Sequence, residues 1–275
     1  MRIKNLPILQ ILFFLSLVID LHGQTTPEKS FRVIGFFTAQ HDPAHISFVH
    51  EANKWFWEQG QKNNFQYDST NDWSNLKADV LKKYDVVLFL DTRPEDSVQR
   101  AAFQTYMEQG GAWMGFHFAA FALTPSIYPQ NWDWYHEKLL GSGQYKGNTW
   151  RPTRAKLKVE LKHQATDGLP KIFQAAPNEW YSWQNDLAKN KDIRILLSID
   201  SSSFPLGTGP KAHEIWHEGY YPVVWTNKKF NMLYFNMGHN DMDYGGTNKA
   251  LSSSFSSEAQ NKLIMNGLRW LAEKK

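Results

Sequence analysis

The stretch "GGAWMGFHFAA", residues 110–120, combines a helix end, a strand and a sharp turn. Its apolar run over 112–116 predicts a buried strand, and His117 follows directly where that strand ends. In elbows of the G-x-S-x-G type, small neighbours allow the central side chain to stand free above the sheet. Gly115 and Ala119 are the small neighbours here, and a histidine occupies the place of the serine or cysteine nucleophile. The stretch therefore predicts an elbow that presents an imidazole.

The chain before the elbow alternates between predicted strands and helices. A continuous apolar run at 85–90 is typical of a strand in a parallel sheet, because both of its faces are covered. Apolar residues three and four positions apart over 45–62 indicate a helix. The predicted elements in order are strand 32–37, helix 45–62, strand 65–68, helix 74–83, strand 85–90, helix 95–109 and strand 112–116. This rhythm predicts an open, mostly parallel α/β sheet with helices on both faces.

The second half of the chain is more irregular. Its predicted elements are a short helix over 131–140, strands over 157–161 and 193–199, a hairpin of strands 222–226 and 232–237, and a final helix to about residue 272. Ser256 or Ser257 can cap that final helix. No internal repeat or low-complexity linker divides the chain, so residues 31–275 are interpreted as a single domain.

The N-terminus has the pattern of an export signal. Arg2 and Lys4 precede an apolar stretch over 8–19, which is too short for a stable membrane span. We predict a signal peptide over 1–23 and a polar tether over 24–30. The chain has no cysteine, which excludes a lipid anchor, disulfides and thiol catalysis. The sequence thus predicts a soluble exported protein, periplasmic or secreted, that is not a lipoprotein.

Composition narrows the class of partner. The net charge is only +3 and the basic residues are spread along the chain, which argues against a nucleic-acid partner. The chain contains 12 Trp, 11 Tyr and 18 Phe, and several of them lie in polar segments rich in glycine and proline. Aromatic rings in such loops suit stacking on the apolar faces of sugars. A small carbohydrate is therefore the predicted ligand.

Polar side chains follow several predicted strands at the point where each strand ends. They are His45 after the first strand, Asp91 and Thr92 after the third, His117 after the fourth, and His239 with Asn240 after the strand over 232–237. Open α/β sheets bind their ligands outside the carboxyl ends of the strands. We therefore expect these side chains to line one crevice.

Six stretches together resemble the ThuA-like (trehalose-utilisation) family, within the class I glutamine amidotransferase-like superfamily. They are "YDVVLFLDT" at 84–92, "GGAWMGFHFAA" at 110–120, "WDWYHEKLLG" at 132–141, "HQATDGLP" at 163–170, "NEWYSW" at 178–183 and "PVVWTNKKFNMLYFNMGHN" at 222–240. The resemblance implies a flavodoxin-like sheet and a link to sugar metabolism. It also implies that histidine replaces the amidotransferase cysteine, which argues against glutaminase activity.

Three residues are the predicted catalytic set: His117, Glu179 and His239. A neutral imidazole can act as general base, general acid or metal ligand near neutral pH, and His117 could alternatively be a structural histidine at a strand end. Glu179 lies among aromatic residues, where a desolvated carboxyl would have a raised pKa, although it could also be a surface carboxylate. The predicted substrate-binding residues are His45, Asp91, Thr92, Trp150, Tyr181 and Asn240.

A divalent metal is an open alternative, with His45, His117 and His239 as its ligands, because imidazole suits zinc, nickel and iron. The other histidine pair, at 213 and 217, resembles a zinc-protease motif, but Pro210 and Gly219 leave little room for the helix which that motif needs. Two functions remain open. The first is an enzyme that acts on a glucoside or an oxidised (keto-) sugar as a hydrolase, isomerase or lyase. The second is a non-catalytic carbohydrate-binding protein that uses the same crevice.

Overall fold

The computed structural model of the protein describes residues 30–40, 42–124, 131–214, 216, 219–240 and 254–273. The strands in these residues are β1 (Phe31–Phe36), β2 (Phe65–Thr70), β3 (Val86–Phe89), β4 (Ala112–Phe116), β5 (Tyr145–Asn148), β6 (Lys156–Val159), β7 (Ile172–Gln174), β8 (Tyr181–Trp183), β9 (Ile193–Ile199), β10 (Pro222–Asn227) and β11 (Asn231–Phe235). The α-helices are α1 (Pro43–Lys62), α2 (Ala78–Leu81), α3 (Ser97–Glu108) and α4 (Glu258–Glu273).

Nine strands form one sheet in the order β2-β1-β3-β4-β11-β10-β9-β6-β7. The five strands from β2 to β11 are parallel neighbours, and the four pairings from β11 to β7 are antiparallel. The parallel part follows the 2-1-3-4-5 order of a flavodoxin-like sheet, with β11 as its fifth strand. The predicted flavodoxin-like α/β fold is confirmed. The irregular second half extends the same sheet, and β5 pairs with β8 in a small separate one.

Helices cover both faces of the sheet, as predicted. On one face α1 and α4 contribute buried apolar side chains such as Phe48, Phe56 and Leu268 to the larger core cluster. On the other face α2 and α3 contribute Leu81 and Phe103 to the second cluster. The two apolar layers hold the parallel strands rigid, so the carboxyl ends of β1, β3, β4 and β11 lie at one fixed edge.

Local chemistry explains where the helices differ from prediction. Helix α1 begins two residues early, because Asp42 caps it by accepting a hydrogen bond from Ala44 N at 2.8 Å and Pro43 fits its first turn. The predicted helix over 74–83 splits into a 3₁₀ turn and α2. The segment over 131–140 forms a π-helical turn at Trp134–Leu139. The final helix is capped as predicted, since Ser257 Oγ accepts from Gln260 N at 3.4 Å.

The predicted signal peptide over 1–23, and the tether up to residue 29, lie outside the described residues. Among the residues that are described, no helix has the length and apolar character needed to cross a membrane.

Candidate functional site

The predicted elbow is present at the end of β4. His117 has a φ of +40°, in the left-handed region that costs a non-glycine residue strain, and its side chain is fully buried. Its carbonyl oxygen accepts a hydrogen bond from the Tyr234 hydroxyl at 2.8 Å. Its Nδ1 lies 2.9 Å from the carbonyl oxygen of Asn236. Because a carbonyl only accepts, Nδ1 carries the proton and Nε2 presents its lone pair.

Glu179 lies two residues before β8 and faces the elbow. Its Oε2 is 3.4 Å from His117 Nε2 and 3.6 Å from His239 Nε2. Its Oε1 accepts a hydrogen bond from Asn148 Nδ2 at 2.6 Å. The Tyr181 ring packs on the other side of the elbow, with its centroid 3.9 Å from that of the His117 ring. The buried carboxyl group is therefore held between two imidazoles.

His45, in the first turn of α1, completes the group. Its ring centroid lies 5.3 Å from that of His117 and 5.0 Å from that of His239, and the latter two are 5.4 Å apart. We refer to His45, His117, His239 and Glu179 as the histidine–glutamate cluster. Gly238 permits this close approach, since it has a φ of +147° and a Cβ there would lie 2.8 Å from the His117 Cβ.

Burial sets the protonation of the cluster. It lowers the pKa of His45 to about 3, that of His117 to about 4 and that of His239 to about 3. Burial also raises the pKa of Glu179 to about 7. Desolvation disfavours the charged form in each case. The three imidazoles are therefore neutral near pH 7, and their contacts with Glu179 are not ion pairs at that pH.

Several nitrogens in the cluster lack hydrogen-bond partners within the described part of the chain. They are His45 Nε2, His117 Nε2 and His239 Nδ1. A buried polar atom left without a partner costs about 1–3 kcal/mol, so three together are a substantial cost that calls for an explanation.

Two overlapping sets of donor atoms could hold a metal ion. In the first, one atom each from Asp42, His45 and His239 lie within 4.8 Å of one another. In the second, the same holds for His45, His117 and Glu179. His45 is common to both sets.

A cavity of about 390 Å³ opens beside the cluster, in the size range of small-molecule sites. It lies after β1 and β3, at the point where the strand order reverses and flavodoxin-like sheets bind ligands. Its walls include Gln40, Trp73, Asp91, Thr92, Arg93 and Phe118. Asp42 and His45 also line it, so the cavity meets the donor atoms at these two residues.

Three predicted substrate-binding residues, His45, Asp91 and Thr92, are in the cavity wall. Asp91 accepts hydrogen bonds from Thr38 N at 2.8 Å and Ala39 N at 2.6 Å, and thereby fixes the loop between β1 and α1. Burial raises the pKa of Asp91 to about 6, and the two backbone bonds partly oppose that effect.

Three others are placed differently. Tyr181 is not among the residues that line the cavity, and its ring packs on that of His117. Trp150 is not among the residues that line the cavity, and its side chain is 46% exposed on a loop. Asn240 donates from Nδ2 to Ser47 Oγ at 3.2 Å and to Glu51 Oε2 at 2.8 Å, so it connects the segment after β11 to α1. The structure therefore gives Asn240 a positioning role beside the cluster.

Some site residues were not predicted. Trp73 and Phe118 supply aromatic walls to the cavity, and Asn148 and Asn236 orient the cluster. Trp73 lies in the 3₁₀ turn that follows β2, so its place just after a strand was a signal that the sequence offered. Asn148 and Asn236 offered no such signal, because an amide side chain and a backbone carbonyl gain their roles only from their neighbours in space.

The histidine pair at 213 and 217 is only half described, since residue 217 lies outside the described residues. His213 follows a 3₁₀ turn at Gly209–Lys211 and lies in no described helix.

Comparisons with known proteins agree with this fold. The family model described as "ThuA: Trehalose utilisation" matches residues 33–271. A solved ThuA-like protein from Bacteroides uniformis is 33% identical, with a TM-score of 0.74, over 88% of this chain and 91% of that one. A second, from Parabacteroides merdae, is 17% identical with a TM-score of 0.61 over 90% and 91%, and shows the fold alone. No match was found among curated proteins.

Proposed function

The chain belongs to the ThuA family of trehalose-utilisation proteins, and from this premise we propose that it acts on a glucoside or keto-sugar by acid–base chemistry. Family membership indicates carbohydrate metabolism. The observation that carries the finer proposal is a buried carboxyl, Glu179, held between the imidazoles of His117 and His239 beside a cavity of about 390 Å³.

The walls of the cavity carry the aromatic and polar groups that suit a bound sugar. Trp73 and Phe118 offer apolar faces for a pyranose ring, and Gln40, Asp91 and Thr92 offer polar groups for its hydroxyls. The Trp73 ring is fixed, because its Nε1 donates to Phe37 O at 3.1 Å. A sugar seated against these walls would extend toward His45, where the cavity meets the histidine–glutamate cluster.

The cluster can move protons without forming a covalent intermediate. His117 Nε2 presents a lone pair, and Glu179 Oε2 lies 3.4 Å from it, so the pair can accept a proton from a sugar carbon or hydroxyl and return it elsewhere. Hydrolysis, isomerisation and elimination all need such transfers. The elbow presents no serine or cysteine, so acyl transfer of the amidotransferase kind is not part of the proposal.

We also propose that the protein is exported. A signal peptide over 1–23 would place the mature protein in the periplasm or outside the cell, where it would meet a small carbohydrate rather than nucleic acid.

The test is a panel of glucosides and 3-keto-glucosides incubated with the protein, with products followed by mass spectrometry. His117→Gln should lower turnover at least about 100-fold, the usual scale of general acid–base catalysis. His50→Gln, an exposed histidine on α1, is the matched control and should retain full turnover. Wild-type turnover in the His117→Gln variant would show that His117 is structural.

A carbohydrate-binding protein without turnover is the second candidate. One observation favours it: His117 and Glu179 are not among the residues that line the cavity, so a sugar could be held without reaching them. His117→Ala distinguishes the two candidates. Wild-type turnover that is lost in His117→Ala while sugar binding is retained supports the enzyme, whereas equal sugar binding by both proteins, with no turnover in the wild type, supports the binding protein.

A further inference from the structure

We propose that the histidine–glutamate cluster binds one divalent transition-metal ion, with His45, His117 and Glu179 as ligands and His239 adjoining them. The donor atoms of the first three lie within 4.8 Å of one another, and all three residues are buried. This proposal rests on the function proposed above only for what the ion would act on. With the ion bound, His117 and Glu179 would serve as its ligands, and the ion rather than these two side chains would activate the sugar.

The spacing between Glu179 and each of two imidazoles matches a metal site better than a hydrogen-bonded network. Ligands bound at 2.0–2.1 Å on the corners of a tetrahedron lie about 3.3–3.4 Å apart. Glu179 Oε2 is 3.4 Å from His117 Nε2 and 3.6 Å from His239 Nε2. These distances exceed the usual hydrogen-bond range of 2.7–3.2 Å.

Hydrogen bonds from surrounding groups orient the donor atoms, as they do for the ligands of known metal sites. A ligating histidine usually donates its other ring N–H to a carbonyl or carboxylate, and His117 Nδ1 does so to Asn236 O at 2.9 Å. The carboxylate is likewise held, because Asn148 Nδ2 donates to Glu179 Oε1 at 2.6 Å. His117 Nε2 and Glu179 Oε2 are thereby turned toward each other.

The nitrogens that lack hydrogen-bond partners add an independent argument. His45 Nε2 and His117 Nε2 are buried without such a partner among the described residues. A metal ion bound to one lone pair of each would satisfy both. Imidazole and carboxylate donors together suit zinc, iron and nickel rather than magnesium or calcium, which prefer all-oxygen sets.

The position of the ion would serve the sugar chemistry. His45 lines the cavity as well as belonging to the donor set, so one face of the ion would be open to a ligand in the cavity. A divalent ion there can polarise a carbonyl or hydroxyl oxygen. A keto-sugar presents both groups.

The experiment is a zinc titration of the untagged full-length protein, stripped with a chelator and measured by calorimetry without sugar. We expect one zinc ion per chain and a higher midpoint of thermal unfolding in its presence. Cobalt(II) substitution should give the visible absorption of a low-symmetry site with nitrogen ligands.

Matched variants make the result specific. His45→Gln and Glu179→Gln should each weaken zinc binding at least about 100-fold. Removing a residue that only orients a ligand costs about 10–100-fold in metal affinity, and removing a ligand itself should cost at least as much. His50→Gln, on the exposed side of the same helix as His45, should bind zinc like the wild type. Circular dichroism of each variant verifies its fold.

Two results would overturn the metal site: no stoichiometric zinc binding by the wild type, or equal binding by the His45→Gln and His50→Gln variants. Either result leaves the proposed sugar chemistry standing, because turnover on the glucoside panel is measured separately. Conversely, zinc binding without turnover would support the metal site and count against the proposed enzyme.

Discussion

Asn236, directly after β11, is the residue whose removal tests this account of the site most sharply. Its Nδ2 donates to the Tyr181 carbonyl at 2.8 Å, and its Oδ1 accepts from Tyr181 N at 3.0 Å. The side chain thus satisfies both backbone groups of a buried residue in β8. Asn236→Ala would leave that N–H and that C=O buried without partners.

The cost follows from the two lost bonds. Each buried backbone group left unsatisfied costs about 1–3 kcal/mol, so Asn236→Ala should lower the free energy of unfolding by about 2–6 kcal/mol. That is a large share of the 5–15 kcal/mol typical of a domain. In urea it corresponds to a midpoint lower by roughly 1–2 M.

The assay is urea unfolding followed by tryptophan fluorescence and circular dichroism. Asn231→Ala is the matched control, since Asn231 begins β11 and its side chain makes one exposed hydrogen bond, to Gly110 O at 3.0 Å. It should cost about 1 kcal/mol or less. If Asn236→Ala and Asn231→Ala are equally stable, the clamp on Tyr181 contributes nothing and the reasoning fails.

Three further predictions concern the elbow, the cavity and the N-terminus. His117→Cys and His117→Ser should fold normally yet gain no amidase or esterase activity, as measured with glutamine and a p-nitrophenyl ester; hydrolysis above background would show that the elbow still supports a nucleophile. Trp73→Ala should weaken sugar binding about 10-fold or more in calorimetry, because a loss of about 1.4 kcal/mol of stacking free energy lowers the affinity tenfold. Trp57 is an exposed tryptophan on α1, so the control variant Trp57→Ala should have no effect. N-terminal sequencing of exported protein should begin near Gln24, and retention of the apolar segment would contradict the predicted signal peptide.

The fold was predictable where one local signal dominated. The strands over 112–116 and 193–199 were predicted to the residue, because each is a short, mostly apolar segment between turn signals, too short for a helix. The pairings of β5 with β8 and of β6 with β7 were not predicted. These strands are three or four residues long and mixed in polarity, so only their partners in space define them.

The meeting of the three histidines was also predicted, because each lies near the carboxyl end of a strand in a parallel sheet. The orientation of the cluster was not. It depends on a carbonyl oxygen at Asn236 and an amide at Asn148, and neither group has a pattern along the chain. Which neighbours they meet is decided by packing rather than by local sequence.

The link between Asn240 and α1 has a consequence for how the molecule folds. Its two hydrogen bonds, to Ser47 and Glu51, join positions 193 and 189 apart in the chain. Contacts between such distant positions must overcome the entropy of closing a long loop, so they form late. His45 and His239 lie near the two ends of that loop, and the cluster can therefore assemble only once these distant parts of the chain have come together. The proposed metal binding and turnover both depend on this long-range contact, so a chain truncated before β11 should show neither.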